Sequence, residues 1–321
     1  MEYRQLGHSG LKVSEISLGS WLTYGGSVAD ETAKQCIRRA YELGINFFDT
    51  ANAYRRGEAE RVMGDVLADF PRTDLVIATK VFFPMGEGPN DHGLSRKHIM
   101  EQCHASLRRL KADYIDLYQC HRFDPHTPLE ETLRALDDLV NQGKVLYLGT
   151  SEWTAAQIAE ARGLQRQMGW NPIASNQPQY SMLVRTIERE IVPLSEREGI
   201  GQVIWSPLAQ GVLTGKYRPG QAPPAGSRAT DEASSTFMES LMPDEVLEAV
   251  QRLRPIAEEL GLSMAQLALA WTLRLPNISS AIIGASRPEQ VDDNAAAAGV
   301  RLNSDVLERI ETALQGVVRE D

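Results

Sequence analysis

Short apolar runs alternate with longer amphipathic segments along the whole chain. The runs that read as strands are Glu15–Leu18, Asn46–Asp49, Leu75–Lys80, Tyr114–Cys120, Val145–Gly149, Ile173–Asn176, Gln202–Ser206 and Ser280–Ile283. Between them apolar positions recur at helical spacing. In Glu58–Phe70 these are Val62, Met63, Val66, Leu67 and Phe70, and in Leu129–Asn141 they are Leu129, Leu133, Leu136, Leu139 and Val140. Thr127-Pro128-Leu129-Glu130 reads as a capping box with proline at the first helical position, and Gly143 as the left-handed terminator of the same helix. Ser286-Arg287-Pro288-Glu289 repeats the opening signal before the last helix of the array.

Strictly alternating strands and helices imply a parallel sheet with right-handed crossovers. Eight such units, and no GxGxxG after the first strand, favour a closed (β/α)8 TIM barrel over an open dinucleotide-binding sheet. The fold class expected is therefore α/β, with residues 1–321 forming one barrel domain. Tyr3–Leu6 and Leu11–Val13 around Gly7-His8-Ser9-Gly10 read as an N-terminal β-hairpin that plugs the barrel bottom, and Ser304–Val317 as an extra C-terminal helix. Thr214–Pro243 breaks the rhythm with several prolines and glycines, and reads as a long loop over the barrel mouth.

Composition narrows the function. Thirty-three basic against 43 acidic residues give a net charge of −10, which argues against nucleic acid and anionic membrane as partners. Cys36, Cys103 and Cys120 form no CxxC pair and read as buried reduced thiols. No apolar leader or run of about 18 apolar residues occurs, so a cytoplasmic protein is expected.

In a barrel of this kind the chemistry stands at the carboxyl ends of the strands. The second strand ends in Asp49, and its loop carries Tyr54. The third ends in Lys80 and the fourth is followed by His121. Taken singly, a strand-end lysine is usually solvated and a lone histidine usually a core residue. Adjacent strands, however, bring these groups together. The set can polarise a carbonyl and protonate its oxygen. An ammonium lowers the pKa of a neighbouring phenol, Asp49 holds Lys80 in place, and His121 donates to the carbonyl oxygen. No side chain supplies a hydride, so a nicotinamide cofactor is implied. His121, Asp124 and His126 are close enough in sequence to raise a metal-dependent barrel as a rival, but their spacing specifies no ligand geometry, and no metal is expected.

The stretch Gly44 to Tyr54, followed by Gly57 and Glu58, resembles the signature of the aldo-keto reductases. Within that family the chain is similar to the subgroup containing voltage-gated potassium-channel beta subunits and their bacterial relatives. Supporting stretches are Tyr3-Arg4-Gln5-Leu6-Gly7, Leu18-Gly19-Ser20-Trp21, Trp205-Ser206-Pro207-Leu208-Ala209, Gly215-Lys216-Tyr217 and Gly284–Asn294. The resemblance implies that Asp49, Tyr54, Lys80 and His121 form the catalytic tetrad, with Tyr54 as proton donor to an aldehyde or ketone. It implies NADPH/NADP+ as cofactor, with NADH as the alternative. Ser20, Trp21 and Asp49 would lie near the nicotinamide, Ser151 and Gln177 at its carboxamide, and Trp205 against its ring. Ser206, Pro207, Leu208, Gly211 and Lys216 would follow the pyrophosphate. Arg228, Gly284, Ser286, Gln290, Asp293 and Asn294 would hold the adenosine end.

Two positions depart from the family pattern. Glu152 stands where many members carry asparagine or arginine, and a carboxylate cannot donate to a carboxamide oxygen. Gln290 stands where some members direct arginine at the 2′-phosphate, a role Arg228 or Arg287 could take. The substrate pocket is expected among Trp21, Tyr24, Tyr54, Phe82, Phe83, His121 and Trp153, with Met85, Phe123 and Tyr180 nearby. Such an aromatic lining suits uncharged carbonyl compounds, and no arginine stands out in the sequence as a partner for a substrate carboxylate. The resemblance leaves two functions in view: a carbonyl reductase, or a cofactor-sensing regulatory subunit with little turnover. It leaves oligomeric state open, a homo-oligomer included.

Overall fold

The computed structural model describes residues 1–21, 24, 30–230 and 238–320. The chain opens with a hairpin, β1 (Tyr3–Gln5) and β2 (Lys12–Ser14), whose strands pair antiparallel with Tyr3 opposite Ser14. The barrel alternates β3 (Ile16–Gly19), α1 (Asp30–Glu42), β4 (Phe47–Asp49), α2 (Glu58–Leu67), β5 (Val76–Val81), α3 (Arg96–Leu110), β6 (Ile115–Cys120) and α4 (Leu129–Asn141). It continues with β7 (Val145–Ser151), α5 (Ala155–Met168), β8 (Ile173–Gln177), α6 (Ile191–Glu198) and β9 (Gly201–Ile204). After β9 come short 3-10 turns, then α7 (Asp244–Gln251), α8 (Arg254–Glu259) and α9 (Met264–Thr272). β10 (Ile278–Ile283), α10 (Pro288–Ala295) and α11 (Ser304–Leu314) complete the chain. The eight parallel strands β3 to β10 close into a barrel, with β10 pairing both β3 and β9.

The expected strands are therefore all present, with ends moved by a few residues. β9 stops at Ile204 because Ser206 adopts a positive φ of 57° and Pro207 has no N–H to donate. After the long segment that follows β9, three helices, α7, α8 and α9, come in succession before β10. The expected capping boxes also differ. Pro128 itself occupies the N-cap of α4, while the Thr127 hydroxyl donates to Asp124 Oδ2 at 2.7 Å. Asp124 also accepts the backbone N–H groups of Leu94 and His126, so it ties its own loop to the one before α3. Arg287 is the N-cap of α10, and the Ser286 N–H donates to Gln290 Oε1 at 2.8 Å.

Period-two alternation places the side chains. Along β4 and β5, Phe47, Val76 and Ala78 face the barrel interior, while Phe48 and Ile77 join the layer under the helices. Leu6 and Val13 of the hairpin fill the lower interior with Phe47, Leu117, Ala174 and Val203. Gly7 allows this plug to seat. Its φ is +57°, and a Cβ there would come within 2.3 Å of the Gly199 carbonyl oxygen. Arg4 then fastens the hairpin, donating to Glu15 and to the carbonyls of Leu273, Leu275 and Ile278. The next inward positions toward the carboxyl ends are polar: Asp49, Lys80 and Gln119. The apolar floor thus carries a polar layer that opens at one end only.

Candidate active site

Lys80 is completely buried inside the barrel, and Asp49 is 3% exposed. Burying two charges costs several kcal/mol each unless pairing and hydrogen bonds offset it. Here all three ammonium hydrogens have acceptors. They reach Asp49 Oδ1 at 2.5 Å, the Thr50 carbonyl at 2.7 Å and the Tyr54 oxygen at 3.4 Å. The other carboxylate oxygen of Asp49 accepts from the side-chain amides of Gln177 at 2.9 Å and Gln119 at 3.3 Å. Gly149 makes room for Gln119, since a Cβ there would meet Gln119 Cγ at 2.8 Å.

Because Lys80 donates to the Tyr54 oxygen, the phenolic hydrogen is left to point elsewhere. Burial pushes the Tyr54 pKa up. Lys80 pulls against that and Asp49 reinforces it, so the phenol ends above its ordinary value. This differs from the expectation of a net lowering, because desolvation outweighs the neighbouring ammonium. Burial pulls the Lys80 ammonium down, but Asp49 and Tyr54 together leave its pKa raised. His121 meets the Tyr54 ring edge-on, with centroids 5.6 Å apart. Burial, Lys80 and Arg122 hold its imidazole well below the usual range, so it is neutral at physiological pH and carries one N–H to donate. Its Nδ1 is buried without a hydrogen-bond partner among the described residues, which leaves Nε2 as its hydrogen-bonding nitrogen.

The mouth is ringed by residues that the sequence points to. Trp21 and Trp205 meet edge-to-face at 5.8 Å, and Phe83 packs edge-on to His121 at 4.8 Å. Ser20 donates its hydroxyl to Thr50 Oγ1, and Ser151 donates to the Gln177 carbonyl at 2.9 Å. Ser206, Pro207, Leu208 and Gly211 lie on the turn after β9, in which Ser206, Ala209, Gln210 and Gly211 all have positive φ. Gln210 bonds Ser206 and accepts from Arg228, and Lys216 Nζ packs where a Cβ on Gly211 would lie, at 3.4 Å. Two cations and glycine backbone thus come together beside one strand end, a donor set that fits a pyrophosphate. At the next strand end, past Gly284, the Ser286 N–H and hydroxyl both donate to Gln290 Oε1, and Asn294 is buried on α10. Asp293 is held by Ser263 and Gln266 at the start of α9.

Several expected lining residues are engaged elsewhere. Tyr24 and Trp153 are each 1% exposed and pack in the hydrophobic layers that include helix residues, Trp153 against Phe123. Tyr180 stacks on Trp271 of α9 and bonds to Arg274 and Glu188. Trp21, Phe82 and Phe83 remain half-buried at the mouth. Glu152 takes a role that its sequence position did not announce. It has a φ of 57°, and its Oε1 accepts the Trp205 indole N–H and the Gln179 backbone N–H, each at 2.7 Å. Gln119 was readable in principle, as the inward position two residues before His121 on a strand buried on both faces. Arg122 was not, because nothing local shows that the turn folds it back on His121.

The closed barrel presents Asp49, Tyr54, Lys80 and His121 as one cluster at the carboxyl ends of neighbouring strands. The aldo/keto reductase family model matches residues 15–315, and the chain belongs to that family. It is 46% identical to an Arabidopsis thaliana protein described as a probable voltage-gated potassium channel subunit beta, over 98% of this chain and 97% of that one. It is 43% identical, over the same shares of each chain, to an Oryza sativa subsp. japonica protein of the same description. Family membership supports an oxidoreductase function.

Proposed function

We propose that this protein reduces aldehydes or ketones to alcohols with NADPH as cofactor. The observation that carries the reading is the Lys80–Tyr54 contact: a protonated phenol whose oxygen already accepts from a fully bonded ammonium. When bound, the cofactor supplies a hydride to the carbonyl carbon. The protein's own part is electrostatic and protic. The neutral His121 donates a hydrogen bond that orients the carbonyl oxygen. Tyr54 gives its proton to the oxygen as negative charge develops there, and the Lys80 ammonium stabilises the phenolate left behind. Asp49, held by Gln119 and Gln177, keeps that ammonium in place.

Lys216, Arg228 and the Ser206–Gly211 turn would hold the cofactor's phosphates, and Gln177 leaves its amide oxygen to accept from the carboxamide. Gln290 accepts from the Ser286 N–H and carries no charge for a 2′-phosphate, so NADPH preference rests on Arg228 or Arg287. The three cysteines are free and buried, in keeping with a reducing, cytoplasmic setting. Absorbance of NADPH against a panel of aldehydes and ketones tests the reading. Turnover is expected for wild type, and Tyr54→Phe is expected to lose about 10²- to 10⁴-fold in kcat while keeping NADPH affinity. Full activity in that variant would overturn the assignment.

The relatives' descriptions favour a second reading, a cofactor-sensing regulatory subunit in which the same site turns over slowly. Tight NADPH retention with turnover slower than one per minute on every carbonyl compound tried, together with a co-purifying channel partner, would support it over the first.

A further inference from the structure

β6 ends at Cys120, and His121 and Arg122 follow it at the mouth. Arg122 folds back so that Nη1 donates to the His121 carbonyl at 2.6 Å. Its guanidinium carbon lies 5.5 Å from the centre of the Phe83 ring, the ring that packs on His121. The remaining guanidinium N–H groups form no hydrogen bond among the described residues. Several other half-buried arginines are treated differently: Arg4, Arg72, Arg109, Arg162 and Arg274 each pair with a carboxylate, and Arg254 is held by the Gly215 carbonyl and Gln251 Oε1. Arg122 has no such partner among the described residues, although it stands beside the most polar part of the barrel.

The local charge balance is also uneven. Lys80 and Asp49 offset one another, which leaves Arg122 as the uncompensated charge nearest the phenol and imidazole. Its field is felt there, since it pulls down the pKa of both Tyr54 and His121. Arg55 and Arg56, exposed on the turn that follows Tyr54, add two cations to the same rim. Neither has an ion-pair partner among the described residues, and both hold the left-handed conformation. On a chain of net charge −10, three such arginines around one opening form a local anion-attracting field.

We propose that Arg122 makes this mouth selective for carbonyl compounds that bear a carboxylate, and so sets the substrate class of the reductase site; this rests on the carbonyl-reductase reading. A guanidinium offers parallel N–H groups that match the two oxygens of a carboxylate. Its backbone tether and the Phe83 ring hold it in place, so little side-chain freedom is lost on binding. A doubly charged phosphate would call for a second half-buried cation beside it, which the site lacks among the described residues. The aromatic lining then packs the body of the substrate between the carboxylate and the carbonyl. This revises the expectation of uncharged substrates, which held because the sequence alone presents no arginine to the site.

The test compares benzaldehyde with 3- and 4-carboxybenzaldehyde in NADPH-dependent reduction by wild type, Arg122→Gln and Arg122→Lys. Wild type should favour the better carboxylated isomer by about tenfold or more in kcat/KM. Arg122→Gln should erase that ratio through KM, and Arg122→Lys should restore part of it. A loss of structure would lower all substrates together and leave the ratio standing. Equal kcat/KM for charged and neutral aldehydes in wild type, or a ratio unchanged in Arg122→Gln, overturns the proposal. Calorimetry of benzoate and benzyl alcohol separates this outcome from failure of the reductase reading. If wild type reduces none of the aldehydes, that reading falls, and binding alone decides. Benzoate bound by wild type and lost in Arg122→Gln upholds the anion site, whereas no benzoate binding to wild type overturns it.

Discussion

Three hydrogen bonds from one ammonium decide how Tyr54 and Lys80 divide their labour. With every Lys80 hydrogen engaged, only the phenol has a proton to give toward the mouth. The pH dependence follows from the two titrations. Tyr54 must be protonated to act, and its pKa lies above the ordinary value of about 10. His121 must be neutral to donate without carrying a charge, and its pKa lies well below about 6.5. Reductase activity should therefore be level from about pH 6 to 9 and fall only on the alkaline side, as the phenol ionises. A kcat/KM profile over that range checks this; a decline between about pH 7 and 6 would place the controlling proton on another group. The proximity of Asp49, Tyr54, Lys80 and His121 was legible because polar residues at the ends of adjacent apolar strands are conspicuous. Gln119, Glu152 and Arg122 were not, since their roles depend on partners from other strands or on a turn that folds back.

At the scale of the element, short runs with apolar cores recur between amphipathic helical segments, and the eight expected strands fall on the eight barrel strands, even where polar residues interrupt them as in β6 and β8. The segment after β9 was less legible. Pro243 caps α7 and Pro255 lies at the start of α8, so helices resume just past the irregular stretch that ends at Pro243. Tyr180 illustrates the same limit from the other side, because its ring is claimed by Trp271 of a helix some ninety residues later. The hairpin is the element most exposed to a single change. Gly7→Ala would combine a left-handed conformation with a close approach to the Gly199 carbonyl, and is expected to cost about 1–3 kcal/mol. Urea denaturation checks it, with the midpoint moving down and the slope unchanged.

Across the whole molecule, Glu15 joins regions far apart in sequence. It is 1% exposed and accepts from Arg4 of the hairpin, Arg301 beyond α10 and the Gly299 N–H. Burial pushes its pKa up, but Gly299 and Arg4 outweigh that and leave it lowered. A depressed carboxylate stabilises the fold fully above its unfolded value of about 4.3, and the contribution is lost as pH falls through the folded value. Glu15→Gln should therefore cost about 2 kcal/mol at pH 7 and flatten the loss of stability below about pH 4. Thermal denaturation of both proteins across that range measures it.

The same hairpin fixes how molecules must pass through the barrel. Leu6 and Val13 stopper the lower end, so under the proposed reductase function a cofactor and a carbonyl compound would share a single doorway. Whichever seats deeper against the Asp49 layer has to arrive first and depart last. The order of arrivals is thus written at the opposite end from the chemistry, by a few apolar side chains that never meet either visitor.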